Sequence, residues 1–221
     1  MKRVFIIGDI HGCNKTLRKM IADEIAIRKT DIICFVGDYI DRGNDSKGVV
    51  DFILELRKDN YHIHTLRGNH EQMLLDSENS ISANALWKMN GGNTTLRDFN
   101  ISSISQLDPV YLDFFASTDF YFKTDHFLLV HAGLNFNAPD PLEDKYAMLW
   151  TRDFQVDESY LDGKILIHGH TPASRDYIRF QDFKSPFNID GGCVYRNVEG
   201  LGNLFALDFF EQKLLEVPNI D

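Results

Sequence analysis

The sequence lacks paired cysteine motifs, an excess of positive charge and any long apolar run, and each absence excludes or disfavours a class of protein. Its three cysteines, Cys13, Cys34 and Cys193, form no CxxC pair and leave one thiol unpaired, so we expect reduced thiols in a cytoplasm. No stretch approaches the length of a membrane span. The 23 Lys and Arg residues against 33 Asp and Glu give a net charge of −10, which disfavours nucleic acid and anionic lipid as partners.

Length and overall composition indicate an ordinary globular chain. The 221 residues are 43% hydrophobic and 25% charged, which excludes a disordered, collagen-like or coiled-coil protein. This length suits one domain, and we expect a single domain over residues 1–221. The apolar run at 4–7 is followed at once by Asp9 and His11, a pattern that does not match a signal peptide. We therefore expect a cytoplasmic location.

Short apolar runs of strand length recur along the chain. Between the early runs lie helix-like segments, one capped by Asn14 and running to about Arg28, the next capped by Ser46. This β-α-β-α-β opening predicts an α/β fold with at least partly parallel strand pairing. Residues 72–125 are predicted to be a mostly helical insertion, and the last three runs are predicted to be antiparallel strands. The predicted strands are 4–7, 32–36, 63–66, 127–130, 165–167, 194–195, 204–207 and 214–217.

Polar residues cluster just after several of the strand-like runs. Open α/β sheets bind ligands at the carboxyl ends of their strands, so clusters at these positions are expected to converge on one site. The five clusters are Gly8-Asp9-Ile10-His11-Gly12, Gly37-Asp38-Tyr39-Ile40-Asp41-Arg42-Gly43, Arg67-Gly68-Asn69-His70-Glu71, His131-Ala132-Gly133 and His168-Gly169-His170-Thr171.

The residue types in these clusters favour divalent metal ions. Carboxylate, imidazole and amide ligands suit Mn, Fe or Zn. Asp9 and His11 are two residues apart, so in extended backbone they point the same way and can share one ion. Asp38 can bridge two ions, and the second is completed by Asn69, His131 and His170. The positive charge of two divalent ions exceeds the negative charge of the two carboxylates, and such a positive site suits a phosphoryl dianion. The arginines that would add positive charge are Arg42, Arg67 and Arg152.

In this order, the motifs GDIHG, GDYIDRG, RGNHE, HAG and HGHT resemble those of the calcineurin-like metallophosphoesterases. More narrowly, they are similar to the phosphoprotein phosphatase family, especially its small bacterial and phage lambda-type members. The motifs span residues 8–171, and residues 188–192 followed by 204–207 resemble the closing segment of that family. The resemblance implies one metallophosphoesterase domain, with two mixed β-sheets in a central sandwich flanked by helices.

The resemblance also implies a role for each motif residue. Two divalent ions, expected to be Mn²⁺ with Fe or Zn as alternatives, hold a hydroxide that attacks phosphorus. One ion is held by Asp9, His11 and Asp38, and the other by Asp38, Asn69, His131 and His170. The general acid is His70, held by Asp41, and the phosphate-binding residues are Arg42, Arg152 and Arg67. Pro172 stands where many superfamily members carry a further His, which leaves the first metal with fewer protein ligands. His168 is interpreted equally well as a site contact or a packing residue.

The expected activity is hydrolysis of phosphomonoesters by a serine/threonine protein phosphatase acting as a monomer on a phosphorylated protein or small phosphate ester. The alternative is a symmetrical diadenosine tetraphosphate hydrolase of related fold. Those relatives usually depart from the His of GDIHG and the Asp of DRG, whereas both His11 and Asp41 are present here. A third hypothesis is a catalytically silent phosphoprotein-binding module, but no metal ligand and no acid is missing from the motifs.

Overall fold

The first third of the chain forms the β-α-β-α-β unit that the apolar runs predicted. The structure, a computed structural model, describes residues 2–221. Strands β1 (Val4–Ile7), β2 (Ile32–Phe35) and β3 (His62–Thr65) alternate with helices α1 (Asn14–Lys19) and α2 (Ser46–Lys58). β1 pairs parallel with β2, and β2 pairs parallel with β3, so the carboxyl ends of all three lie at one edge.

Both predicted caps in this unit are wrong. Asn14 is the first residue of α1, which follows Cys13 without a side-chain cap and continues as a π-helix (Met20–Glu24) rather than running to Arg28. α2 is capped by Asp45, whose carboxylate accepts from the amide of Gly48 at 2.9 Å. The hydroxyl of Ser46 instead accepts from the amide of Asp41 at 3.2 Å, and so stabilises the backbone of the polar loop that follows β2.

The middle of the chain is mostly helical. It contains α3 (Asn69–Asp76), α4 (Ile81–Trp87), α5 (Asn93–Asp98) and α6 (Pro109–Ala116). α4 and α5 are joined by a π-helix (Lys88–Gly92) in which Gly91 has a φ of 115°, a backbone conformation that favours glycine. α6 begins as its sequence suggests, since the Asp108 carboxylate accepts from the amide of Val110 and proline follows the cap.

The remainder of the chain supplies a second set of strands. β4 (Tyr121–Lys123), which lies within the stretch expected to be helical, pairs antiparallel with β5 (Phe127–Val130). β6 (Ile165–His168) and β7 (Phe187–Asn188) extend this sheet in parallel, after the short helices α7 (Lys145–Trp150) and α8 (Glu158–Leu161). α9 (Arg175–Phe180) precedes β7, and the antiparallel strands β8 (Asn203–Asp208) and β9 (Lys213–Pro218) end the fold.

The predicted strand at 194–195 is wrong. These residues lie in consecutive turns, in which the amide of Tyr195 donates to the carbonyl of Gly192 at 2.8 Å. Gly192 has a φ of 58°, which favours glycine and turns the chain before an extended run can begin. Two apolar residues were too few to distinguish a strand from a turn.

The strands form two mixed sheets, which confirms the predicted fold class. One sheet has the order β3-β2-β1-β8-β9 and the other the order β4-β5-β6-β7. Side chains alternate across β1, so Val4 and Ile6 join an apolar cluster with Phe127 and Leu129 of the other sheet. The opposite face of β1 joins the cluster that contains residues of α1 and α2. Each sheet therefore buries one face against the other sheet, and helices cover the outer faces.

The single-domain organisation over residues 1–221 stays a prediction. No helix within residues 2–221 is long and apolar enough to cross a membrane.

Candidate active site

Five loops at the carboxyl ends of β1, β2, β3, β5 and β6 bring the predicted metal and acid residues together. The backbone amide of His170 donates to the Asp9 carboxylate at 3.1 Å, a contact between residues 161 apart in the chain. All of the clustered side chains are buried, each at most 5% exposed: Asp9, His11, Asp38, Asp41, Asn69, His70, His131 and His170. Polar groups at this depth require hydrogen bonds or an ion to offset their lost hydration.

The backbone of the site is strained. A positive φ is found for five of its non-glycine residues, with values between 46° and 71°: His11, Asp38, Asp41, Arg42 and His170. A side chain in this left-handed region costs of order 1–3 kcal/mol and persists only where the surrounding structure enforces it. Such strain concentrates at functional sites, and here it falls on residues that the motifs had selected.

One set of ligands surrounds the Nε2 atom of His131. The Nδ1 atom of His131 lies 3.0 Å from the carbonyl oxygen of Val36 and donates to it, so Nε2 presents a lone pair. Nε2 lies 3.0 Å from Asn69 Oδ1, 3.2 Å from His170 Nδ1 and 3.5 Å from Asp38 Oδ1. These four acceptor atoms have at most one proton among them, on His170. A divalent cation fits this arrangement, because oxygen and imidazole nitrogen are its ligands.

Burial keeps the imidazoles of this set ready to bind a metal. It lowers the pKa of His131, and it lowers the pKa of His170 to about 3, with the nearby His131 contributing to the second shift. Both rings are therefore neutral at pH 7, which is the state that coordinates metal.

A second set of ligands lies on the other side of Asp38. The Nδ1 atom of His11 donates to the carbonyl of Ile40 at 2.8 Å, so Nε2 carries the lone pair. Nε2 lies 3.3 Å from Asp38 Oδ2 and 2.6 Å from a guanidinium nitrogen of Arg42. The two carboxylate oxygens of Asp38 thus face the two sets, as a bridging ligand requires.

Within the described chain, Asp38 with His11 and His70, and Asp38 with His131 and His170, can place ligand atoms within 4.8 Å of one another. Asp9 belongs to neither group, and its carboxylate accepts the amide of His170. Burial, together with the charges of Asp190 and Asp38, raises the pKa of Asp9. Its role as a ligand stays a prediction.

The predicted general acid is held by a dense set of hydrogen bonds. His70 Nδ1 lies 2.6 Å from Asp41 Oδ2, so Nδ1 donates to the carboxylate and Nε2 is left for the site. The same carboxylate accepts from the indole N–H of Trp87 at 3.0 Å and from the hydroxyl of Thr95 at 2.5 Å. Burial lowers the pKa of His70, while Asp38 and Asp41 oppose that shift.

Sequence reasoning missed Trp87 and Thr95. They lie 46 and 54 residues beyond Asp41, on helices without a recognisable motif. The one available signal was the Gly91-Gly92 break, since a Cβ at Gly92 would lie 2.5 Å from the Trp87 ring. The break lets the chain pass close to the indole and return α5 to the Asp41 loop.

The three predicted phosphate-binding arginines differ in position. Arg42 contacts His11, and Arg152 lies at the rim, where it donates to the carbonyl of His170 at 3.3 Å. Arg67 instead donates to the Thr118 hydroxyl and to the carbonyls of Phe115 and Ala116 at the end of α6. A helix carboxyl end attracts a cation, which explains this placement. The predicted role of Arg67 in binding phosphate stays a prediction.

His168 lies outside both ligand sets. Its Nδ1 atom is 3.0 Å from the carbonyl oxygen of Gly169, and its ring packs edge-on against Phe154 with centroids 5.6 Å apart. Burial lowers the pKa of His168 to about 4, so the ring is neutral.

Glu71 connects two of the converging loops. Its carboxylate accepts from the amides of Asp38, Tyr39 and Gly68, each at 2.9 Å. Burial and the charge of Asp38 raise its pKa to about 8, while the three amides oppose that shift. The side chain is completely buried and contacts backbone rather than a metal set, so it positions the loop that carries Asp38.

At a pH above the pKa of Glu71, where its ionised carboxylate accepts all three amides, replacing Glu71 with glutamine is expected to destabilise the protein by about 1–3 kcal/mol. The amide NH₂ of glutamine would face a buried N–H donor, which then loses its partner. Urea unfolding of the chelated protein measures this change. Glu55→Gln is the matched control, because the Glu55 side chain is 61% exposed and its ion pair is with a half-exposed arginine. Equal unfolding midpoints for the two variants would contradict the assigned role.

Comparison with known proteins extends along most of the chain. A family model described as calcineurin-like phosphoesterase matches residues 2–219. The chain is 42% identical over 205 residues to serine/threonine-protein phosphatase 1 of Salmonella typhimurium, covering 88% of each protein. It is 24% identical over 244 residues to the asymmetrical bis(5'-nucleosyl)-tetraphosphatase of Oceanobacillus iheyensis, covering 98% of this chain and 92% of that relative.

The fold is likewise shared with a solved structure of a protein serine/threonine phosphatase from Saccharomyces cerevisiae. The TM-score is 0.67 at 16% identity, over 98% of this chain and 79% of that one, so this likeness concerns the fold alone. The chain belongs to the calcineurin-like phosphoesterase family.

Proposed function

We propose that this protein is a metal-dependent serine/threonine protein phosphatase that hydrolyses phosphomonoesters. The observation that carries the chemistry is Asp38, whose two oxygens face two separate sets of imidazole ligands. The choice of a protein substrate is supported by the 42% identity to the Salmonella phosphatase along most of both chains.

The proposed metal ligands divide between two positions. His11, Asp38 and Asp9 would hold one divalent ion, and the other would be held by the set described around His131, which is Asp38, Asn69, His131 and His170. We propose Mn²⁺ for both positions. When bound, the two ions supply Lewis acidity, which lowers the pKa of a water molecule and offsets the charge of the phosphoryl oxygens.

The chain's own residues then handle the phosphoryl group and the leaving group. The guanidinium groups of Arg42 and Arg152 bind the non-bridging oxygens, whose charge shifts during transfer. As the bond from phosphorus to the serine or threonine oxygen breaks, His70 gives the proton on Nε2 to that oxygen. Asp41 holds Nδ1 at 2.6 Å, which keeps the ring oriented and favours its protonated form. Water supplies the new phosphorus–oxygen bond, and the products are phosphate and the free hydroxyl.

Two other functions are less well supported. Similarity to the Oceanobacillus tetraphosphatase favours dinucleoside polyphosphate hydrolysis, but at 24% identity it is much weaker than the phosphatase match. The symmetrical hydrolases are further disfavoured because His11 and Asp41 are both present and both contact the site. A silent binding module would have lost a ligand or the acid, and the described residues retain each of them.

We also propose that the protein acts as a monomer in the cytoplasm. All three cysteines are free and buried, which is consistent with a reducing compartment.

The proposed activity is tested by removing and restoring the metal. After chelation, the protein is expected to release no phosphate from a phosphothreonine peptide, and added Mn²⁺ should restore activity. With Mn²⁺ present, kcat/KM on the peptide should exceed that on diadenosine tetraphosphate. The reverse preference would keep the metal chemistry and overturn the protein substrate. Tight binding of the phosphopeptide without hydrolysis, with both metals bound, would support the silent module.

A further inference from the structure

A large groove adjoins the proposed phosphate site and takes no part in the metal chemistry. It encloses about 1510 Å³ and begins beside Arg152 and Thr171, which lie next to the ligand His170. Its walls come from the segment between β5 and α8, from the loop after β6 and from α9. A substrate held by its phosphate at Arg152 would therefore extend into this groove.

The charge of the groove is negative beyond Arg152. That arginine is the only basic side chain among the described lining residues. Four carboxylates line the walls: Asp144, Asp153, Asp157 and Glu158. Asp144 and Asp157 cap helices α7 and α8, whereas Asp153 and Glu158 are exposed and form no ion pair within residues 2–221. A second phosphate or an acidic side chain would be repelled here, and a cationic group would be attracted.

A buried histidine independently indicates the hydrogen-bonding character of a group that would bind in the groove. His168 lines the groove although it is only 7% exposed. Its Nδ1 atom faces the carbonyl of Gly169 and carries the ring proton, which leaves Nε2 as an acceptor. Nε2 has no hydrogen-bond partner in the part of the chain that the structure describes. Its complement is a hydrogen-bond donor, which a peptide N–H or a basic side chain supplies and a phosphate dianion does not.

Aromatic side chains complete the groove wall. Tyr146 is 74% exposed and Tyr177 is 56% exposed, and both line the groove. Exposed tyrosine rings pack against the apolar stems of Lys and Arg and attract their charged ends.

We propose that this groove binds the polypeptide that flanks the phosphorylated residue and selects substrates with Lys or Arg close to that residue. This inference rests on the proposed phosphatase function and specifies its substrate class. Carboxylates pair with the basic side chains, His168 accepts a donor from the bound segment, and Arg152 separates this region from the phosphate site.

Two phosphothreonine peptides of equal length test the proposal, one with Lys flanking the phosphothreonine and the other with Glu at the same positions. The Lys peptide should have a kcat/KM at least about fivefold higher, and the ratio should fall with added salt, as expected for exposed charges. The double variant Asp153→Asn/Glu158→Gln should reduce the ratio by about threefold or more, mainly through KM.

The matched control separates local attraction from the overall charge of −10. Asp125→Asn/Glu211→Gln removes the same charge from exposed positions that do not line the groove, and it should leave the ratio unchanged. Equal kcat/KM values for the two peptides, or equal effects of the two double variants, would overturn the groove assignment while leaving the phosphatase function intact. Hydrolysis of diadenosine tetraphosphate with neither peptide hydrolysed would overturn both proposals.

Discussion

Replacing Asp38 with asparagine is expected to lower kcat/KM on a phosphothreonine peptide by at least about 10³-fold. Its two carboxylate oxygens face separate ligand sets, at 3.3 Å from His11 Nε2 and 3.5 Å from His131 Nε2. An asparagine offers one oxygen and an NH₂ group, so it can serve one set but not both. Each metal contributes several kcal/mol of charge stabilisation, and about 4 kcal/mol corresponds to 10³ in rate.

Metal content distinguishes this explanation from a general loss of structure. Wild-type protein reconstituted with Mn²⁺ should bind two ions by elemental analysis, and Asp38→Asn should bind fewer. Asp208→Asn is the matched control, because Asp208 is a buried aspartate on β8 paired with Phe5, near the end of β1 opposite the site. The control should keep both ions and its activity. Full metal content and full activity in Asp38→Asn would exclude a bridging role.

Where the strands lie was largely predictable from the sequence. The runs at 4–7 and 127–130 match β1 and β5 residue for residue, because all eight of these positions are buried and apolar. Because β2 pairs in parallel with both β1 and β3, the loops that follow these three strands lie at one edge of the sheet. Asp38 comes just after β2 of this sheet, whereas His131 comes just after β5 of the other sheet, so their convergence also depends on how the two sheets pack.

Details set by distant contacts were not predictable. Asn44, Asp45 and Ser46 are all good helix caps, so local preference could not select one. In the structure Asp45 caps the helix and its amide also donates to the carbonyl of Gly12 at 3.1 Å, while the Ser46 hydroxyl accepts from the amide of Asp41.

Long-range contacts likewise determine whether an individual polar side chain lies in the site. Arg67 lies in a site motif, but its guanidinium donates to the carbonyls at the end of α6. Trp87 is the converse case. No motif near it in the sequence indicates a role in the site, yet its indole N–H donates to the Asp41 carboxylate. A motif selects residue types, whereas the tertiary fold decides which of them face the reacting group.

Replacing His70 with asparagine is expected to lower kcat on a phosphothreonine peptide by about 10²- to 10⁴-fold, the usual range for an acid–base group. The effect should depend on the leaving group. A threonine alkoxide needs a proton as it departs, whereas a nitrophenolate leaves without one. On p-nitrophenyl phosphate the same variant should therefore lose less than about tenfold. His64→Asn, at a half-buried histidine stacked on Phe122 and away from the metal sets, should keep activity on both substrates.

The pH profile provides a second and independent test of His70. A general acid works only while protonated, so the wild-type rate on the peptide should fall as pH rises through its pKa. Burial lowers that pKa, and the carboxylates of Asp38 and Asp41 oppose the shift. Asparagine has no proton to lose, so the residual activity of His70→Asn should lack this fall. A variant that kept the alkaline fall, or lost equal activity on both substrates, would show that His70 orients the phosphate instead of protonating the leaving oxygen.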